Sequence, residues 1–198
     1  MNKIILASKS PRRAQLLSWA EIPFEVIVAE TDESFPEHLS PSDAAMYIAR
    51  NKAFAVKESL KTDTILAADT IVVLDGRIIG KPRDREDGIE ILKALSGRTH
   101  EVITGVCIFH NDKETLFADV TEVEFHGLTS SQIEYYMDNY KPYDKAGAYA
   151  IQEWIGVVGI KSIRGDFYNV MGLPVSRVLL TMEENLHADG GNPPREFK

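Results

Sequence analysis

An apolar run interrupted by a single carboxylate, Ile65-Leu-Ala-Ala-Asp69-Thr-Ile-Val-Val-Leu74, constrains this chain more than any other segment. Its continuous Ile and Val content suits a strand covered on both faces at the centre of a sheet, and predicts a strand from Thr64 to Leu74. An unpaired carboxylate there would cost several kcal/mol of desolvation. The strand must therefore surface at a cleft at Asp69, or deliver the carboxylate to a metal or a cation. The structural alternative is a buried aspartate that caps a loop or pairs with an arginine.

The pattern around that run is α/β. Lys3 to Ala7 reads as a first strand, and Ser10-Pro11 supplies an N-cap and an N1 proline for a helix through Leu16, Leu17 and Trp19. A second strand is expected at Phe24 to Val28. Ser40-Pro41-Ser42-Asp43 opens a long helix in which Met46, Ala49, Ala53, Val56 and Leu60 recur at helical spacing. Asp75-Gly76 is a two-residue hairpin turn, returning through Arg77 to Gly80. Asp84 caps a further helix whose Ile89, Leu92 and Leu95 face the core. Thr99 to Phe109 and Glu114 to Phe125, joined by Asn111-Asp112, form a long antiparallel pair. A helix over Thr129 to Asn139, a strand over Val157 to Ile163 and a last helix ending near Asn185 complete a mixed twisted sheet with helices. One domain is expected over 1–186, with a polar, frayed tail over 187–198.

Composition narrows the function. The 198 residues carry 22 Lys+Arg against 30 Asp+Glu, a net charge of −8. No basic stripe is present, so broad nucleic-acid binding is disfavoured and an anionic ligand has to be held by a local cluster of cations. Cys107 is the only cysteine, which excludes an intrachain disulfide, a thiolate zinc cluster and a CxxC pair. It reads as a core thiol. The longest apolar run is about half of a membrane span. The N-terminal apolar segment is too short for a signal h-region, and a cytoplasmic protein is expected.

Several clusters carry chemistry. Ser8-Lys9-Ser10-Pro11-Arg12-Arg13 joins a strand end to a helix start, where backbone N–H groups, hydroxyls and guanidinium groups converge as a polyphosphate requires; an ordinary capped helix is the plainer reading. Gly76 to Gly80-Lys81 is not a Walker loop, having one spacer too few and Pro82 where Ser or Thr should stand. Lys52 lies at the rim of the long helix's apolar stripe, able to reach into a neighbouring cleft or simply to snorkel. Counting from the Asp75-Gly76 turn places Lys81 on the face of Thr70, so a bulge at Gly80 is expected, bringing it to the Asp69 face. Asp32-Glu33 is either a solvated turn or, with Asp69, a set of oxygen donors for a hard divalent cation. The small residues between Tyr143 and Gln152 suit a flat ligand such as a base, or a buried turn. Arg164-Gly165-Asp166 reads as a turn, and the five histidines have no ligand spacing.

Ser8-x-Ser10-Pro11-Arg12-Arg13, Asp32-Glu33, Asn51-Lys52-Ala53, Ala68-Asp69-Thr70, Gly80-Lys81-Pro82, Leu95-Ser96-Gly97-x-x-His100, Asp144-Lys145-Ala146-Gly147-Ala148-Tyr149-x-Ile151-Gln152 and Val170-x-Gly172-Leu173-Pro174 together resemble the Maf family of nucleoside triphosphate pyrophosphatases. The resemblance covers about Ile4 to Leu180. It implies an α/β fold of two lobes around a central cleft, related to inosine triphosphate pyrophosphatases, usually as a cytoplasmic homodimer. It also implies hydrolysis of a nucleoside triphosphate to the monophosphate and pyrophosphate with a divalent metal, Mg²⁺ or Mn²⁺. Carried over by position, Ser8, Ser10 and Arg13, with Arg12 beside them, match the triphosphate-binding motif. Glu33, Lys52, Asp69 and Lys81 match the active-site acids and lysines, with Glu33 and Asp69 as metal ligands. Thr70 and Gln152 are similar to the branch acting on dTTP and UTP. One departure is Glu153-Trp154-Ile155, where relatives often have a short glycine-rich stretch.

In that reading Asp69 takes a proton from the attacking water, while the metal and Lys52, Lys81 and Arg13 face the developing charge. The rivals are a nucleotide-binding regulator of septum formation without turnover, and a nucleotidyl transferase. Paired acids and the lack of an acceptor pocket or DNA-binding helix favour hydrolysis.

Overall fold

The computed structural model describes residues 4–59, 64–110 and 113–188. The chain runs β1 (Ile4–Leu6), α1 (Pro11–Trp19), β2 (Phe24–Val26), α2 (Pro41–Ser59), β3 (Thr64–Leu74), β4 (Arg77–Ile79), α3 (Arg85–Leu95), β5 (Thr99–His110), β6 (Lys113–Phe125), α4 (Ser130–Tyr140), α5 (Trp154–Gly159), β7 (Ile160–Arg164), α6 (Phe167–Met171) and α7 (Val175–Ala188), with a 3₁₀ turn at Ala146–Ala148. The strands form one mixed sheet in the order β2-β1-β3-β5-β6-β7. The expected α/β class holds. Among the described residues no helix is long and apolar enough to cross a membrane.

β3 has the predicted bounds, and its two edges are used differently. One edge pairs continuously with β5, from Thr64↔His110 to Val73↔Glu101. The other is shared: β1 pairs in parallel with Ile65 and Leu66, and β4 pairs antiparallel with Val72, Val73 and Leu74. Between them, residues 67–71 have no strand on that side among the described residues. β1 is cut short because Pro11, at the first helical position of α1, starts a helix soon after the strand ends.

Alternation along β3 sends odd-numbered side chains to α2 and even-numbered ones to the other helices. Ile65, Ala67, Ile71 and Val73 pack with Ala45, Ala49, Ala53 and Val56 of α2. Leu66, Ala68, Val72 and Leu74 join the larger core with α1, α3, α4 and α7. Gly105, opposite Asp69 in β5, lies tight against α2: a Cβ there would stand 2.3 Å from the Ala45 carbonyl carbon and the Met46 nitrogen.

Local signals place most elements. Asp84 accepts from the Asp87 N–H at the start of α3, and Thr129 and Gln132 form a capping box on α4. Asp75 and Gly76 carry φ values of 51° and 74°, the twist that a tight hairpin needs. Three expectations change. Val157 and Val158 belong to α5, not to a strand. Ile155 and Gly159, four apart, are buried while Val157 is exposed, so tertiary contact overrides β-branched propensity. The last helix passes Asn185 and reaches Ala188. The expected bulge at Gly80 is absent, because β4 ends at Ile79 and the Gly80 carbonyl accepts from the Gly147 N–H at 3.1 Å instead. The expectations for Lys3, Leu60, the Asn111-Asp112 turn and a tail beyond 188 lie outside the described residues.

His100 is sealed in the core, stacked on Phe125, with Nε2 2.7 Å from the Tyr149 hydroxyl. Burial pushes its pKa down from 6.5 to about 4. An unfolded histidine takes a proton where folded His100 does not, so stability is lost as pH falls from 6.5 toward 4. Thermal unfolding followed across that window should show the loss, and His100→Gln should give a shallower slope. An unchanged slope in the variant would remove His100 as its cause.

Candidate functional site

The gap along β3 opens into a cleft of about 330 Å³ that reaches both faces of the sheet. Asp69 and Thr70 are neighbours in sequence and point to opposite faces, and both line it.

On the α2 face, Lys52 comes down over the strand. Its Nζ lies 2.7 Å from Asp69 Oδ1 and 2.7 Å from Glu33 Oε1, so one ammonium holds two carboxylates together. Lys81 approaches Glu33 Oε2 at 3.3 Å from the opposite wall. The Lys52–Asp69 pair is the sheltered part, with side chains 16% and 14% exposed, while those of Glu33 and Lys81 are about half exposed. The hydrogen bond from Lys52 holds the Glu33 carboxyl below the usual carboxylate range, against partial burial, and the charges of Lys52 and Lys81 add to the effect. Lys81 thus reaches the site without a bulge, and its ion pair is with Glu33. Asp32 does not join the cluster. Its exposed carboxylate accepts from the Ser34 N–H and hydroxyl, an Asx turn that carries it outward.

On the other face lies Arg13, a buried arginine. Its Nε donates to the Gly172 carbonyl at 2.7 Å, Nη1 to Ser8 Oγ at 3.0 Å and Nη2 to Thr70 Oγ1 at 3.0 Å. Burial lowers its pKa from the ordinary guanidinium value, and the charges of Asp69 and Glu33 work against that. An arginine stays protonated regardless. Ser8 Oγ also accepts from the Ser10 N–H at 3.2 Å, so both of its acceptor positions are filled and what it offers a ligand is its O–H donor. Ser10 stands at the N-cap of α1, but its side chain makes no cap bond. Arg12 pairs with Asp144 at 3.4 Å, tying α1 to the segment that carries Gln152.

The ten residues matched to the family's site by position, Ser8, Ser10, Arg12, Arg13, Glu33, Lys52, Asp69, Thr70, Lys81 and Gln152, line this one cleft. Trp154 does not; its ring packs on Tyr135 at 4.8 Å. Lys145, part of a quoted motif, has no role assigned from the sequence. Its nearly buried ammonium lies 2.8 Å from Asp144 and 3.6 Å from Glu153 on the cleft wall. The Gly172 carbonyl was also missed, since a backbone acceptor carries no residue-type signal.

A wall of cations fits a polyanion, and the two carboxylates beside them fit a hard divalent ion. Mg²⁺ commonly takes one or two protein carboxylates and completes its shell with water and phosphate oxygens, and Glu33 and Asp69 supply that set. Among the described residues no group of three or more acidic, histidine or cysteine side chains forms an all-protein cage.

Residues 3–185 match the family described as Maf-like protein. A dTTP/UTP pyrophosphatase of Cytophaga hutchinsonii is 50% identical over 181 residues, which cover 91% of this chain and 83% of that protein. A dTTP/UTP pyrophosphatase of Parabacteroides distasonis is 50% identical over 178 residues, covering 89% and 92% respectively. A HAM1 protein from Coxiella burnetii superposes with a TM-score of 0.45 at 19% identity, covering 91% of this chain and all of that one.

If Lys52 is the clamp described, removing it leaves two carboxylates facing each other. In Lys52→Met the Glu33 titration, followed by carboxyl ¹³C NMR, should move upward toward or beyond 4.5, its ordinary value. A titration still below that value would show that other groups depress it.

Proposed function

Because the chain belongs to the Maf family, we propose that it is a nucleoside triphosphate pyrophosphatase acting on dTTP and UTP, releasing the monophosphate and pyrophosphate. The observation that carries this reading is the pairing of Asp69 and Glu33 through Lys52 beside Arg13 and Ser8, all lining one open cleft. The relatives quoted above are named for that activity.

In this mechanism the triphosphate lies along the cation wall. Arg13, already anchored by three hydrogen bonds, meets it with a preorganised guanidinium, and Ser8 donates its O–H to a phosphate oxygen. Asp69, carried on a central strand and oriented by Lys52, takes the proton from the water that attacks the α-phosphorus. Lys52 and Lys81 face the negative charge that develops on the departing pyrophosphate. Glu33 and Asp69 would hold Mg²⁺ or Mn²⁺, which when bound supplies Lewis-acid charge to the phosphate oxygens. On the base side, the Gln152 amide offers one donor and one acceptor, the complement of the imide edge shared by uracil and thymine. Thr70 contributes wall contact and holds Arg13. The reading extends to a cytoplasmic homodimer, which sedimentation of the purified protein would test.

Pyrophosphate release should be measured over a panel of nucleoside triphosphates with Mg²⁺ or Mn²⁺, and should be fastest with dTTP and UTP. Asp69→Asn should lower kcat by about 10²–10⁴, the usual range for a lost general base, with KM within a few fold. Binding without release in the unaltered protein would favour a regulator, and release only with a second acceptor would favour a transferase. Near-normal turnover by Asp69→Asn would remove it as the base.

A further inference from the structure

Apart from its bond to Ser8, each hydrogen bond of Arg13 leads to α6. Its Nε ends on the carbonyl of Gly172, the left-handed cap that closes this helix. Its Nη2 reaches Thr70 Oγ1, which lies 2.9 Å from Thr104 Oγ1, and Thr104 Oγ1 lies 3.0 Å from the Asn169 carbonyl oxygen. A carbonyl cannot donate, so the one hydroxyl proton of Thr104 goes to Asn169. Thr104 must then accept from Thr70, and Thr70 from Arg13. The chain has a single direction, from guanidinium through two hydroxyls to the helix backbone, and it leaves Thr70 without a proton for a ligand.

The far end is held by Asn169, whose side chain is fully buried. Its Nδ2 donates to the Val102 carbonyl of β5 at 3.0 Å and to Thr121 Oγ1 of β6 at 2.9 Å. Thr121 passes its own proton to the Asp166 carbonyl at 3.0 Å, just before α6. Turning the amide over would set Oδ1 against the Val102 carbonyl, so the orientation is determined. That orientation leaves Asn169 Oδ1 buried with no hydrogen-bond partner among the described residues, a cost set against two bonds that cross to two strands. α6 is five residues long and has little cohesion of its own.

We propose that Asn169 is a positioning residue for Arg13. By fastening α6 to β5 and β6 it places two carbonyls, its own and that of Gly172, which aim the guanidinium into the cleft, with Thr104 as the connecting link. This rests on Arg13 being a triphosphate ligand, as in the reading above.

The test is equilibrium binding of a non-hydrolysable α,β-methylene analogue of dTTP with Mg²⁺. Thr104→Val keeps the shape and removes the hydroxyl, Thr104→Ser keeps the hydroxyl, and Asn169→Ala releases the helix. Thr104→Val and Asn169→Ala should weaken binding about tenfold, the scale of one misplaced charge-assisted hydrogen bond, and Thr104→Ser should bind within about twofold of the unaltered protein. In an Arg13→Lys background, Thr104→Val should add less than about twofold, because the group it orients is gone. In ¹⁵N-arginine spectra, the Arg13 Nε–H resonance, identified by its loss in Arg13→Lys, should exchange faster with solvent in Thr104→Val. Unchanged binding, equal weakening in both backgrounds, or unchanged exchange in folded Thr104→Val would overturn the proposal. Thr104→Val carries the test even if Asn169→Ala does not fold. None of these measurements needs turnover, so a chain that binds nucleotide without cleaving it would defeat the enzymatic reading and leave this one standing.

Discussion

The arrangement depends on one ammonium group. A carboxylate in the middle of a central strand would be a heavy penalty if dry and alone, and Lys52 makes it tolerable by meeting it at 2.7 Å where the sheet edge is open to water. The same ammonium binds Glu33, so the loop after β2 is drawn to the strand and the acids are gathered before any ligand arrives. Burying a full ion pair is seldom stabilising in itself. Here the pair sits at the boundary between core and cleft, which suits a group held in place for chemistry.

The second constraint is geometric. Adjacent residues of a strand face opposite ways, so a ligand can touch Asp69 and Arg13's partner Thr70 together only where a strand edge is uncovered. β1 stops after Leu6 and β4 begins to pair only at Val72, which leaves that stretch of edge bare among the described residues. The acids and Lys52 stand on one side of this opening, and Arg13, with its supports on α6, on the other. The site is therefore a property of strand lengths as much as of side chains.

Much of this was legible in the sequence. The bounds of β3 followed from a run apolar on both faces, and the cleft from the one charge that broke it. Asp84 announced its helix through side-chain capping. What failed turned on contacts that residue type alone does not announce. Val157 and Val158 have strand-like side chains, yet the buried spacing of Ile155 and Gly159 made that stretch a helix. Lys81 was placed by extrapolating a ladder that ends two residues earlier, and Asp32 by assuming that adjacent acids act together. The Gly172 and Asn169 carbonyls left no trace at all. Any residue has such an oxygen, and only the assembled fold decides which one faces an arginine or the threonine that leads to it.

Gly105 has a consequence for how the strands find their alignment. β3 and β5 zip over a long stretch of similar aliphatic residues, and a slip by two positions would preserve which side chains face the interior. Such a slip would carry Ile103 or Cys107 beneath the Ala45–Met46 peptide, where there is no space even for a methyl group. The glycine thus works as a notch: only one alignment lets the long helix seat, and that alignment is the one in which Lys52 finds its aspartate.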